Sequence, residues 1–135
     1  MAKILIIDDE EPILKMYSAA LSDHEVITAK NGEDGISLAE KEAPDMILLD
    51  IILPKLNGLD VLESLKNNQE TSSIPVIMLT NLPQEASADK AKSLGAINYF
   101  VKAEFEPQKL ATEIGKLLRE TKDGDEDEED SAPSN

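Results

Sequence analysis

Ile4-Leu5-Ile6-Ile7-Asp8-Asp9 and Met46-Ile47-Leu48-Leu49-Asp50 are the two stretches whose reading decides the fold. In each, four apolar residues run without polar alternation and stop at carboxylates. A run of that kind reads as a strand buried on both faces, which is the habit of parallel sheets. A carboxylate at the end of such a strand must be hydrogen-bonded, metal-bound or functional, because burying an unpaired charge is expensive. The two stretches therefore place an acidic site at one edge of a parallel sheet.

Further strand-like runs lie at 25–29, 75–79 and 97–101, beside those at 3–7 and 46–49. Helix-like segments fall between them, near 11–22, 32–42, 58–67, 84–94 and 107–121. The last has the clearest period, with Leu110, Ile114, Leu117 and Leu118 on one face and Pro107 in its first turn. Asn31-Gly32 reads as the turn opening the second helix, and Gly95 as the C-terminal cap of the fourth. The inward candidates of that fourth helix are Ala86, Ala91 and Leu94, which bury little area and hold it loosely. Five βα units in succession predict an α/β fold, a doubly wound five-stranded parallel sheet with helices on both faces. The common strand order for such a sheet is 2-1-3-4-5, with ligands bound at the switch point between the first and third strands. Asp8, Asp9 and Asp50 meet at that point. Thr80 and Lys102 end the fourth and fifth strands and line the same edge.

The length of 135 residues suits one domain, read as 1–121, with 122–135 as a disordered acidic tail. Net charge is −15, and the seven acidic residues of 123–130 account for part of it, leaving −8 for the rest. A body this acidic disfavours direct nucleic-acid binding, which draws its affinity from Lys and Arg on phosphates. There is no Cys and no apolar run long enough to span a membrane, and Met1-Ala2-Lys3 leads straight into a strand, so a secretory signal is not expected. The composition fits a cytoplasmic protein with a protein partner or a metal cation. His24, the single His, reads as a solvated loop residue.

Three clustered carboxylates repel one another, and a hard divalent cation such as Mg²⁺ relieves that repulsion through oxygen ligands. With a metal on one side of Asp50, its other oxygen can attack phosphorus. Lys102 and Thr80 would then supply a second cation and a hydroxyl to the phosphoryl oxygens.

Taken singly, each residue has a plainer reading. Asp50 before Pro54 could be a turn residue, Asp8-Asp9-Glu10-Glu11 could serve a helix dipole, Thr80 and Tyr99 could be packing residues, and Lys102 could be solvated. Their joint placement at one sheet edge makes that a run of coincidences.

In order and spacing, Asp8-Asp9, Asp50-Ile51-Ile52-Leu53-Pro54 with Gly58, Thr80, Tyr99 and Lys102 resemble the receiver domain of two-component response regulators, over residues 2 to about 121. The resemblance implies the flavodoxin-like (βα)5 fold and a single-domain, chemotaxis-regulator-like signalling protein with slow autophosphatase activity. It implies Asp50 as the phosphoacceptor. It implies a Mg²⁺ held by Asp8, Asp9, Asp50 and the backbone carbonyl of Ile52. Lys102 would pair with a phosphoryl oxygen, Thr80 would turn its hydroxyl toward the phosphoryl group, and Tyr99 would swing inward as Thr80 moves. The partners implied are a histidine kinase or phosphotransfer protein and a downstream protein on the helix 4–strand 5–helix 5 face, with the chain a monomer or a phosphorylation-linked homodimer. A receiver fragment of a longer regulator and a degenerate scaffold receiver are the alternatives.

Two enzyme and ligand classes are disfavoured. An aspartyl-nucleophile phosphatase needs a second Asp two residues after the first, where Ile52 stands. A nucleotide or flavin binder needs a Gly-rich loop where Asp8-Asp9-Glu10-Glu11-Pro12 stands. The chain departs from the family pattern at Asn81-Leu82, which flank the path of the attacking water, and at Ala103, where Pro commonly follows the Lys. The Lys102–Ala103 bond is expected to be cis all the same, because Lys102 must reach Asp50 from the fifth strand.

Overall fold

The computed structural model describes residues 2–134, with side chains through Thr121. Strands β1 (Lys3–Ile7), β2 (Glu25–Ala29), β3 (Met46–Leu49), β4 (Val76–Thr80) and β5 (Asn98–Val101) alternate with helices α1 (Glu11–Ala20), α2 (Gly32–Glu42), α3 (Gly58–Lys66), α4 (Gln84–Ser93) and α5 (Pro107–Ser134). All pairings are parallel, in the order β2-β1-β3-β4-β5. The expected fold class and strand order are both present. The fifth helix runs to Ser134, past its expected end at 121, and the expected disordered tail at 122–135 falls on residues whose side chains lie outside the description.

Successive strand residues point to opposite faces, so an unbroken apolar strand feeds two cores. Leu5, Ile7, Ile47, Leu49, Val76 and Met78 pack with Ala39, Val61, Leu62, Leu65 and Ala91 of α2, α3 and α4. Ile4, Ile6, Met46, Leu48, Ile77 and Leu79 pack with Leu14, Tyr17, Leu21, Leu110 and Ile114 of α1 and α5. β3 and β4 are buried throughout, while β2, at the sheet edge, is partly exposed.

The helix starts follow their caps. The Asn31 side chain accepts the Asp34 N–H at 2.8 Å, and Asn57 accepts those of Leu59 and Asp60 at 2.9 and 3.1 Å. Gly95 takes a left-handed φ of 112°, and the Ala96 N–H returns to the Ala91 carbonyl at 3.0 Å to close α4.

Three local expectations are corrected. Ala86 is exposed; α4 turns Ser87 and Ala91 inward, with Ala88 and Leu94 packed on the core. His24 is half-buried rather than solvated, since its Nδ1 accepts the Ala2 N–H at 3.1 Å and ties the chain start to β2. Among the described residues no peptide bond is cis, so Lys102–Ala103 is trans. Without Pro the cis form costs about 2.5–4 kcal/mol. The chain instead makes a short 3₁₀ turn over Lys102–Glu104 before α5.

Candidate functional site

Register builds the site. Ile7 pairs with Leu49, so Asp8 and Asp50 leave adjacent strands at the same level. The Asp50 N–H donates to the Ile7 carbonyl and the Asp8 N–H to the Ala29 carbonyl, each at 3.0 Å, which fixes both backbones. Thr80 pairs with Val101, so Lys102 emerges beside Thr80. The β3–α3 loop returns under Asp50 because the Gly58 N–H donates to the Ile51 carbonyl at 2.7 Å.

The structure brings Asp8, Asp50 and Lys102 into direct contact. Lys102 Nζ donates to Asp8 Oδ2 at 2.5 Å and to Asp50 Oδ2 at 2.9 Å. All three are buried, with exposures of 2 % for Asp8, 5 % for Asp50 and 7 % for Lys102. The remaining carboxylate oxygens hold backbone: Asp8 Oδ1 accepts the Glu10 N–H at 3.0 Å, and Asp50 Oδ1 accepts the Ile52 N–H at 3.3 Å. Asp9 joins the cluster from its exposed rim.

The electrostatics are those of a site short of positive charge. Burial raises the Asp8 carboxyl above its ordinary value, more than Lys102 and the Glu10 N–H lower it, and the Asp50 charge adds to the rise. Burial works against the Lys102 charge, but its bonds to Asp8 and Asp50 outweigh this and raise its pKa. One carboxylate oxygen from each of Asp8, Asp9 and Asp50 lies within 4.8 Å of the others. A hard oxygen donor set of this compactness and charge fits a small divalent cation.

Thr80 and Tyr99 stand one step away, and both hold Leu82. Thr80 is fully buried, and its Oγ1 accepts the Leu82 N–H at 3.4 Å. Among the described hydrogen bonds it makes none to Asp50 or Lys102. Tyr99 is 7 % exposed, so its ring is already inside, and its hydroxyl donates to the Leu82 carbonyl at 3.0 Å. Burial pushes that phenol's pKa up. The Ile52 side chain, two residues after Asp50 in the chain, is exposed.

Sequence reasoning missed Glu10, whose Oε1 lies 3.7 Å from Lys102 Nζ. It was legible only as part of the acidic run that opens α1. It missed Leu82 as the residue gripped from both sides, for which an apolar side chain carries no signal.

A model of the response regulator receiver domain matches residues 4–115 of the chain. Protein PilH of Pseudomonas aeruginosa is 41 % identical over 114 residues, covering 83 % of this chain and 94 % of PilH. The alkaline phosphatase synthesis transcriptional regulatory protein PhoP of Bacillus subtilis is 39 % identical over 119 residues, covering 87 % of this chain but 48 % of PhoP. Among solved structures, the chemotaxis protein CheY4 of Vibrio cholerae aligns with a TM-score of 0.79 at 30 % identity, covering 86 % of this chain and 98 % of that one.

Proposed function

Since this chain belongs to the response regulator receiver family, we propose that it is a phosphorylation-controlled signalling module whose phosphoacceptor is Asp50. The observation that carries this reading is the buried Lys102 ammonium shared between Asp8 and Asp50 at 2.5 and 2.9 Å. The donor is a phosphohistidine on a histidine kinase or phosphotransfer protein. A carboxylate oxygen of Asp50 attacks phosphorus, the P–N bond breaks, and the imidazole leaves and takes a proton from solvent. The product is a mixed anhydride on Asp50.

Asp8, Asp9, Asp50 and the Ile52 carbonyl would hold Mg²⁺, whose chemistry is to neutralise charge on the carboxylates and the phosphoryl oxygens. Lys102 passes from Asp50 to a phosphoryl oxygen, keeping a charge-assisted bond throughout. Thr80 releases the Leu82 N–H and donates its hydroxyl to a second phosphoryl oxygen. Leu82 then stays tied to Tyr99 alone, through its carbonyl. A movement at Thr80 therefore reaches Tyr99 through one residue of backbone, and the α4–β5–α5 face changes shape for a downstream protein. Water attack on the acyl phosphate resets the site, with Asn81 and Leu82 flanking its path.

The test is intact mass after incubation with acetyl phosphate. One phosphoryl group should be gained with Mg²⁺ or Mn²⁺ present and none in chelator, and Asp50→Asn should abolish the gain. Labelling that persists in Asp50→Asn would refute the assignment.

A further inference from the structure

The chain contains two Asn-Gly junctions, Asn31-Gly32 and Asn57-Gly58. Asn-Gly is the dipeptide in which the following backbone nitrogen most readily reaches the side-chain amide, because Gly has no Cβ to obstruct it. Both Asn residues cap helices, and both have extended backbones, with ψ of 168° and 164°. Their own conformations do not separate them. The glycine nitrogens do.

The Gly58 nitrogen is engaged. Its N–H donates to the Ile51 carbonyl at 2.7 Å, and the residue lies against the backbone of Asp50 and Ile51. To attack the Asn57 side chain it would have to leave that bond and move under the site. The Gly32 nitrogen is the first N–H of α2 and one of the four that a helix leaves without an intrahelical acceptor. Among the described residues no backbone or side-chain acceptor is found for it, because the Asn31 carbonyl oxygen takes Gly35 and the Asn31 side chain takes Asp34.

We infer that Asn31 is a site of spontaneous modification in the folded protein, reacting with water through its own backbone, and that Asn57 is shielded from the same reaction. The Gly32 nitrogen loses its proton and bonds to Asn31 Cγ. The Cγ–Nδ2 bond breaks, and ammonia leaves with a proton. Water then opens the five-membered imide at either carbonyl, giving aspartate or isoaspartate at position 31. No oxidant or reductant is involved.

The product differs from the native chain in two ways. The Asn31 Nδ2 now donates to Asp34 Oδ2 at 3.1 Å, and the reaction puts a carboxylate there instead. The isoaspartate form also adds one backbone carbon immediately before Gly32, a residue packed so closely that a Cβ on it would stand 2.5 Å from Val61 Cγ2. That form therefore loosens the docking of α2 on α3. The same reaction at Asn57 would disturb the backbone beneath Asp50, and the Gly58–Ile51 bond guards against it.

The experiment ages the full chain in mildly alkaline buffer, folded and in concentrated urea, and maps isoaspartate by enzymatic methylation and peptide mass. In the folded protein, position 31 should react and position 57 should lag by about tenfold, the equivalent of about 1.4 kcal/mol in barrier. In urea the two rates should converge. Asn31→Asp, which keeps a capping oxygen, should remove most of the ammonia released by the folded protein. Modification at position 57 as fast as at 31 in the folded state would overturn the inference. So would reaction at both positions in urea with neither in the folded protein.

Discussion

Gly58 opens α3 directly under the proposed phosphoacceptor, and replacing it with Ala tests how rigidly the fold holds that site. A Cβ there would stand 2.0 Å from the Asp50 carbonyl oxygen, 2.6 Å from Ile51 Cα and 2.8 Å from the Asp50 carbonyl carbon. All three are backbone atoms of the strand end that carries the carboxylate, so no side chain can swing aside. Gly58 is not among the glycines with positive φ, so the conflict is one of space alone. Overpacking costs typically about 1–3 kcal/mol, and contact with backbone on this side puts Gly58→Ala near the top of that range, at about 3 kcal/mol. Relief would come from pushing Asp50 outward, and a misplacement of about 1 Å at a reacting group costs on the order of 100-fold in rate. Gly115→Ala is the control: its nearest neighbour is the flexible Arg119 Nη1 at 3.7 Å, and it lies within α5. There Ala should stabilise by about 1 kcal/mol through helix propensity. Urea unfolding at matched m-values reads the stabilities, and acetyl phosphate labelling reads the rate. A Gly58→Ala protein within about 0.5 kcal/mol of wild type, labelled at the wild-type rate, would refute the reasoning.

Mg²⁺ should raise the melting temperature by mass action, since it binds the folded cluster; at ten times its dissociation constant the gain is about 1.4 kcal/mol. Asp50→Asn should weaken that response, and equal melting points with and without millimolar Mg²⁺ would count against the metal site. In chelator, stability should fall as pH rises from the ordinary carboxylate value of 3.8 toward the raised pKa of Asp8, because there the folded state holds a proton that the unfolded chain releases. The contribution of Lys102 has the same sign in an alkaline window: it is fully present below 10.5 and is lost as pH climbs through the higher folded value. Urea midpoints against pH measure both, and an acid limb unchanged in Asp8→Asn would dispose of the first. Deleting residues 123–135 should leave folded stability within about 0.5 kcal/mol and labelling intact, since seven acidic residues in eight supply no core. A labelling defect in the truncated chain would tie the tail to the site.

The sheet was legible because its strands are apolar on both faces. Ile4 to Ile7 and Met46 to Leu49 admit few other readings, and the carboxylates that end them mark the functional edge. What was hidden lies in backbone and in small side chains. Ala86 and Ala91 are the same residue type on the same helix, so composition cannot say which turns inward. Only the docking of α4 decides it, and it buries Ser87 and Ala91. The bond from Ala2 to His24 Nδ1 depends on where β1 and β2 begin relative to each other, a register no local pattern encodes. Leu82 owes its place between Thr80 and Tyr99 to its amide and its carbonyl, which every residue but proline carries.

The trans bond after Lys102 shows where reasoning from the backbone went too far. The expectation of cis rested on aiming: strand β5 ends at Val101, and Lys102 had to be turned toward Asp50. The aim comes from elsewhere. Thr80 and Val101 are paired, so Lys102 starts only two strands from Asp50, across β4. Its four-carbon stem covers that gap, and the ammonium reaches Asp50 at 2.9 Å with the peptide trans. Charge completes the aiming. Asp8 at 2.5 Å and Asp50 at 2.9 Å draw one cation into a buried site, and Glu10 at 3.7 Å adds to the pull. A flexible side chain in a field of converging carboxylates needs no bend in its backbone, whereas a cis bond before Ala would have cost about 2.5–4 kcal/mol. Position 103 is therefore free of any demand for Pro, and Ala103 sits in the 3₁₀ turn Lys102–Glu104.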